Sequence, residues 1–375
     1  MSSKARHLLL VGGGHAHVAV LADWIRQGRP AGARATLLTP HPALRYSGMV
    51  PGWMAGEHER LRGIVDLAGL SAAAGIALVL GRAVSIDPAA CAITTEAGER
   101  IGFDVASLDT GGTGHAGAVL GEDPRLLEIR PIERFVDRFA QWNAVDRDRP
   151  IRAAVVGGGA GGVELAFGLR NLSCTDRRPE VTLVTGRAGL VPSLSRAVRR
   201  LVARELERQE ITVACEDARF ESGELMAGKA SLEPLDIVLA ALGSAAPAWP
   251  EEGGIATDHR GFVAVDAFQR SVSHPNVFAV GDLAARQDRQ VPHSGVHAVF
   301  AGPKLAANLR AALAGQEPTA RYRPRGNNLY LLSTGDGRAI ASYGPLAARG
   351  RWVARLKRWI DLRWIDTYAG LAGPV

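Results

Sequence analysis

The stretch Val155-Val-Gly-Gly-Gly-Ala-Gly-Gly-Val-Glu164 restricts the folds open to this chain more than any other. Residues 151–156 are apolar and read as a buried strand, while residues 163–172, rich in Ala and Leu, read as a helix. Between them Gly157, Gly159 and Gly162 fill a G-x-G-x-x-G frame, with Gly161 beside them. Glycine at those places lets the backbone turn tightly, approach a pyrophosphate and pack the helix on its strand. The helix N-terminus then offers N–H groups to phosphate. Such turns also occur without a ligand, so the reading rests on the flanking pattern and on a second turn near the N-terminus.

That second turn is Gly12-Gly-Gly-His-Ala-His17, which follows an apolar strand at residues 8–11 and opens a helix reaching about Gln27. Gly12 and Gly14 hold two frame positions, and His17 stands where a third glycine would allow the closest helix–strand contact. His15 and His17 read either as polar residues of a first helical turn or as groups lying beside a phosphate. A strand at residues 35–38 ends in Thr39-Pro40, where an acid would normally grip the adenine-side ribose; Thr39 offers only a weaker hydroxyl contact. In the second unit the matching strand, residues 181–185, ends in Thr185-Gly186-Arg187. An arginine without an acid accommodates a 2′-phosphate, so NADPH stands open beside NADH, with a solvated turn as the other reading of Arg187.

Between the turns, residues 41–52 carry prolines and glycines that argue against regular structure, together with bulky apolar side chains of the kind that line a site. Residues 76–109 suggest a small antiparallel meander returning to the sheet and stopping at Thr110-Gly111. Residues 123–146 look helical, followed by a crossover into the second unit. There a basic helix at 195–209, a strand at 211–215 and a buried strand at 236–240 are expected, the last running into Leu242-Gly243. Strands at 262–265 and 277–280 follow, and the second ends in Gly281-Asp282. A carboxylate at that edge faces a ligand crevice or caps a following helix. A helix over 297–313 completes the unit.

Composition removes several alternatives. With 47% hydrophobic residues in 375, the chain can bury the cores of two or three domains. Cys91, Cys174 and Cys215 are scattered and odd in number, which leaves neither a disulfide framework nor a C-x-x-C redox or zinc site, and no metal is expected. No apolar run approaches the ~20 residues that span a bilayer, and residues 1–6 leave no room for a signal peptide, so the expected location is cytoplasmic. A net charge of +6 suits several anionic partners and selects none. Dispersed arginines and the lack of a reading module argue against nucleic acid.

Two glycine turns, with Thr110-Gly111-Gly112 before the second and Gly281-Asp282 after it, resemble flavoproteins with two dinucleotide-binding domains. Closer likeness is to type II NADH dehydrogenases and to the NADH-dehydrogenase-like proteins associated with selenide, water dikinase. Its carriers are the first turn, Tyr46-Ser-Gly-Met-Val-Pro-Gly52, residues 295–309 and residues 329–366. The resemblance implies an α/β fold with two Rossmann-like domains: an FAD domain at 1–118 and 253–323, an NAD(P)H domain at 119–252, and a C-terminal hairpin-plus-helix region at 324–375. It implies that Asp282 holds the FAD ribityl or phosphate region and that Gly295-Val296 lies by the flavin ring, with Tyr46, Met49 and Pro51 opposite. Glu164 falls where relatives place a carboxylate near nicotinamide and flavin.

The implied reaction is hydride transfer from NADH or NADPH to FAD, then electron transfer to a quinone-like acceptor. The alternatives are a reductase of a small soluble acceptor in selenium or sulfur metabolism, and a nucleotide-binding protein without efficient electron transfer.

In the tail, residues 328–332 and 338–341 read as a hairpin. In the helix after it, Trp352, Val353, Leu356, Trp359, Ile360 and Trp364 fall on one face, with Arg351, Arg355, Lys357, Arg358 and Asp361 on the rest and Arg363 interrupting the stripe. Tryptophans with cations suit an anionic membrane surface, which would place the protein peripherally on the inner face. The other reading is packing on the FAD domain or a homodimer contact.

Overall fold

In the computed structural model, which describes residues 5–145, 147–173 and 178–372, two parallel sheets share one strand arrangement. The first runs Val277–Ala279, Val105–Leu108, Arg6–Val11, Ala33–Thr39, Ala77–Leu80. The second runs Leu126–Glu128, Ile237–Ala240, Arg152–Val156, Glu180–Val184, Thr212–Ala214. In each, the middle strand feeds a glycine turn and a helix, His15–Gln27 in the first and Ala160–Arg170 in the second. Strand order reverses beside that middle strand, which opens a crevice at the carboxyl ends of the strands. The architecture is α/β and Rossmann-like in both sheets.

Parallel strands covered on both faces must be apolar along their length. Leu8, Leu9 and Leu10 are accordingly fully buried, as are Ala154 and Val155. Over the first sheet, Val18, Leu21 and Trp24 of the first glycine helix pack with Leu305 and Leu309 of the helix Gly295–Leu313. Gly302 permits that contact, since a Cβ there would lie 2.7 Å from that of Ala19. Over the second sheet, Leu165 and Phe167 pack with Val198 and Val202 of the basic helix Arg196–Arg208 and with Phe135 and Phe139 of Ile132–Asn143.

Several expectations are corrected. Residues 41–52 are ordered after all, with a strand at Ala43–Arg45, a 3-10 turn at Ser47–Met49 and a helix at Val50–Met54. Pro51 sits in the first turn of that helix, where a missing N–H costs nothing. Residues 123–146 are not helical throughout: Leu126–Glu128 joins the second sheet, and the helix starts only after Pro131, because a residue before proline is pushed out of the helical region. Within 76–109, Ala77–Leu80 pairs in parallel with the first sheet, and the antiparallel part is confined to Ala83–Asp87, Ala92–Thr95 and Arg100–Gly102. Asp282 caps no α-helix, since the 3-10 turn Gly281–Leu283 runs directly into the strand Ala284–Arg286.

The tail holds a third antiparallel strand beyond the expected hairpin, giving Leu329–Ser333, Ala339–Tyr343 and Leu346–Gly350. Leu332 and Ile340 join the core of the second unit, whereas Trp364 and Tyr368 of the final helix, Arg351–Ala369, pack on the core of the first. The tail therefore bridges both sheets. Its helix does not present one tryptophan face: Val353 and Ile365 are buried and Trp364 turns inward, while Trp352 and Trp359 are 56% and 58% exposed on the other side.

Candidate functional site

At the first crevice, Gly12 adopts φ +93°, and a Cβ there would stand 2.4 Å from the Asp109 carbonyl oxygen. Only glycine fits this turn. His17 is buried, with Nδ1 2.6 Å from the Gly12 carbonyl oxygen and Nε2 2.8 Å from the Ser107 hydroxyl. Burial pushes its imidazole down to about 4, so the ring is neutral. The histidine at the third frame position thus ties the turn to its neighbouring strand, and its ring serves the fold. Thr39 is buried and its hydroxyl donates to the His41 carbonyl oxygen at 3.3 Å, with Pro40 exposed beside it.

The remaining first-crevice residues converge. Asp109 accepts the N–H groups of Ala16 and His17 at 2.9 and 3.1 Å. Gly281, at φ +70°, lies against that carboxylate, and Asp282 is ion-paired to Arg130 at 2.7 Å. Thr110 and Gly111 follow Asp109 directly, the latter at φ +69°. Gly295 and Val296 begin the long helix, where a Cβ on Gly295 would meet nothing within 4 Å. The His15 ring lies 5.6 Å from that of Tyr46 and 5.1 Å from that of Trp364, and Tyr46 stacks on Trp364 at 5.1 Å. Burial lowers His15 to about 4, leaving it neutral. Met49 and Pro51 are buried where the Val50–Met54 helix meets the second glycine helix.

At the second crevice Gly157 takes φ +134°, and a Cβ on Gly162 would stand 1.8 Å from the Gly157 carbonyl oxygen, so helix and turn touch backbone to backbone. Cβ positions on Gly159 and Gly161 meet nothing within 4 Å, which leaves that side open to a ligand. The Thr185 hydroxyl is engaged with the Gly186 carbonyl oxygen at 3.0 Å. Arg187 is paired with Asp217 at 3.2 Å on the surface, and Gly243, after Leu242, turns at φ +90°. Asp217 lies some thirty residues from Thr185 in sequence, which hides it from a reading of strand ends.

Glu164 sits where the two units and the tail meet. Its carboxylate accepts the Ser333 N–H at 2.8 Å and lies 4.0 Å from the Lys357 ammonium. Lys357 also donates to Asp361 at 3.1 Å and to the Gly48 carbonyl oxygen at 3.1 Å. Burial pushes Glu164 up to about 7 against the opposing pull of Lys357 and Ser333. Burial pulls Lys357 down, but Glu164 and Asp361 outweigh it and hold the ammonium charged. Burial raises the Tyr46 phenol, reinforced by the Asp361 carboxylate. Sequence reasoning singles out Glu164 and gives no site role to Lys357, Asp361, Arg130 or Asp109, which the structure brings beside the crevices. Lys357 and Asp361 lie off the apolar stripe of the final helix, so their burial follows from how that helix packs, which its sequence pattern does not contain.

A model of the pyridine nucleotide-disulphide oxidoreductases matches residues 6–302, spanning both crevices. The chain belongs to this family. It is 26% identical to the dihydrolipoyl dehydrogenase of Thermus scotoductus over 216 residues, which are 54% of this chain and 45% of that enzyme. Its fold is shared with the sulfide:quinone oxidoreductase of Aquifex aeolicus at TM-score 0.77 and 18% identity, covering 99% of this chain and 93% of that one. It is shared equally with NDH2 of Plasmodium falciparum in complex with NADH, at TM-score 0.78 and 11% identity over 97% of both chains.

As a member of this family the protein uses FAD and a nicotinamide dinucleotide. The residues present fit both. Around the first crevice His15 Nε2, Ser294 Oγ and Trp364 Nε1 are buried polar atoms with no hydrogen-bond partner among the described residues, as expected of a lining that meets a polar cofactor. The open side of Gly159 and Gly161 fits a second dinucleotide. Cys91 lies in the antiparallel sheet region, Cys215 is exposed just past the carboxyl end of the strand Thr212–Ala214, both are free thiols, and Cys174 lies outside the described residues.

Proposed function

We propose that the protein is an FAD-dependent NAD(P)H oxidoreductase that takes hydride from the nicotinamide and passes electrons to a quinone-like acceptor. Bound FAD supplies the two-electron redox chemistry. The chain's residues bind, orient and manage protons. Gly12, Gly14, Thr110, Gly111, Gly281 and Asp282 hold FAD, with Tyr46, Met49, Pro51, Gly295 and Val296 around its ring. Gly157, Gly159, Gly161, Gly162, Leu242 and Gly243 hold the nicotinamide dinucleotide. Asp217 supplies the carboxylate missing at Thr185 and neutralises Arg187, which favours NADH.

The observation that carries the quinone reading is the buried pair of Glu164 and Lys357. A quinone needs protons as well as electrons. A carboxyl titrating near 7 beside a fixed ammonium suits proton delivery in a dry site. Cysteine chemistry has no comparable support, because the three cysteines form no C-x-x-C pair. Exposed Trp352 and Trp359, among Arg351, Arg355, Arg358 and Arg363, support a peripheral position on an anionic membrane surface. Among the described residues no helix is long and apolar enough to cross a membrane.

The test is anaerobic absorbance of the purified protein. NADH should bleach the flavin band, and a water-soluble quinone should restore it. Bleaching without reoxidation by quinone would refute the acceptor.

A further inference from the structure

Asp109 occupies an unusual place for a carboxylate. It ends the strand beside the first glycine strand, is 4% exposed, and its Oδ2 accepts both the Ala16 and the His17 N–H groups. Those are the second and third residues of the first glycine helix, and their N–H groups are among the ones a phosphate at that helix N-terminus uses. A Cβ on Gly14 would stand 2.4 Å from either carboxylate oxygen, so the group lies directly on the turn. Oδ1 takes no hydrogen bond among the described residues and lies 2.8 Å from where a Cβ on Gly281 would be. A desolvated anion is thus set against the seat of another anion.

The surroundings do not neutralise it. His15 and His17 on the glycine helix are neutral. On the turn after the neighbouring strand, Asp282 adds a second negative charge, and its partner Arg130 is committed to it at 2.7 Å. From the helix Gly295–Leu313, His297 is held below its ordinary value by burial and bonds Tyr322 at 2.7 Å. Burial, with a smaller push from Asp282, raises the Asp109 carboxyl to about 7 even before a phosphate arrives. Two charges of one sign in one dry site cannot both persist, and the carboxyl is the group able to take a proton.

We propose that Asp109 is a neutral carboxylic acid in the flavin-loaded protein, its Oδ1–H donating to the FAD diphosphate while Oδ2 keeps its two N–H bonds, so that FAD enters with one proton taken from solvent. A protonated carboxyl both donates and accepts, which a carboxylate cannot do. The sign of the linkage follows. Below the value of the flavin-free carboxyl, affinity for FAD is full. Above it, affinity falls by about tenfold per pH unit until the value in the bound state is reached.

FAD released on dilution of the holoprotein, read by flavin fluorescence between about pH 6 and pH 9, tests this. In the wild type the dissociation constant should rise about tenfold per unit above neutrality. Asp109→Asn, which keeps a donor and an acceptor without charge, should hold FAD with no such slope. A flat wild-type profile, or a slope retained in Asp109→Asn, overturns the proposal. Should the variant not fold, the wild-type holoprotein decides alone. A deuterium-sensitive infrared band of a protonated carboxyl that fades with pH in step with FAD release supports it, and no such band refutes it. The readout is cofactor retention, so it stands apart from the identity of the electron acceptor.

Discussion

Lys357, on the final helix, points its ammonium into the protein and places it 4.0 Å from the carboxylate of Glu164 on the second glycine helix. The pair joins three segments distant in sequence, because Lys357 also reaches the Gly48 carbonyl oxygen and Glu164 takes the Ser333 N–H. Both side chains are nearly buried, so their interaction is little screened.

Glu164→Gln should separate the two half-reactions. Glu164 is raised to about 7, so its proton-donating form is present below that pH and is lost as pH rises through it. Acceptor reduction in the wild type should therefore decline above about pH 7. The glutamine variant should lose that limb and fall about 100-fold in quinone reduction. Bleaching by NADH, measured by stopped flow without acceptor, should change far less. An unaltered quinone rate in the variant would remove Glu164 from the reaction.

Lys357→Met should weaken both stability and proton supply. Removing the cation leaves Glu164 and Asp361 buried without their partner, which costs about 3 kcal/mol in groups so enclosed. Without the ammonium, the ionised form of Glu164 loses its main support, so its value should climb further. The alkaline limb of quinone reduction should move to higher pH, and Tm should fall. A lower Tm with an unmoved limb would show that Lys357 serves packing only.

His17→Asn probes the departure at the third frame position. The ring bonds the Gly12 carbonyl and the Ser107 hydroxyl inside the core, and losing it should cost about 2 kcal/mol. Burial depresses the histidine from 6.5 to about 4, so its neutral form carries the stabilisation. That advantage is complete above 6.5 and is lost as pH falls through about 4. Urea unfolding of wild type and variant should differ near neutrality and converge in acid. A constant difference would assign the effect to shape.

These cases also show what the sequence could convey. Gly12, Gly157 and Gly162 were legible because their positions require a missing Cβ, a local property that survives in a string of letters. Glu164 was legible from its place after a turn. The positions of Asp109, Arg130 and Asp217 relative to the crevices depend on strand order and on loops closing across the sheets, which no short window contains. The final helix misled for a related reason. Its inward face carries Lys357 and Asp361, and a hydrophobic stripe cannot reveal a charged pair buried against another charged residue.

Asp217→Asn addresses nucleotide choice. Asp217 meets Arg187 beside the end of the strand Glu180–Val184, where we propose the adenosine ribose is read, and both are largely exposed, so the pair itself contributes little stability. Its effect is on a ligand. With the carboxylate present, a ribose hydroxyl finds an acceptor and a 2′-phosphate meets an opposing charge; with asparagine, Arg187 is released toward the phosphate. The ratio of kcat/KM for NADH over NADPH should fall about tenfold, and Arg187→Ala should raise it. An unchanged ratio in both variants would place the specificity determinant elsewhere.

Trp352 and Trp359 should govern attachment to lipid. They stand one turn-pair apart on the outer side of the final helix, and the Arg363 guanidinium lies 5.4 Å from the centre of the Trp359 ring. The helix is anchored by its other side through Val353, Lys357 and Ile365, so outward substitutions leave the buried pair intact. Vesicles containing anionic phospholipid should sediment the wild type at low salt and release it as salt rises, since the arginines act through a screened field. Replacing both tryptophans with serine should lower the bound fraction at every salt concentration, while flavin content and NADH bleaching stay as they were. Equal binding by the variant would mean that charge alone holds the surface, and no sedimentation of the wild type at low salt would remove the membrane from the function.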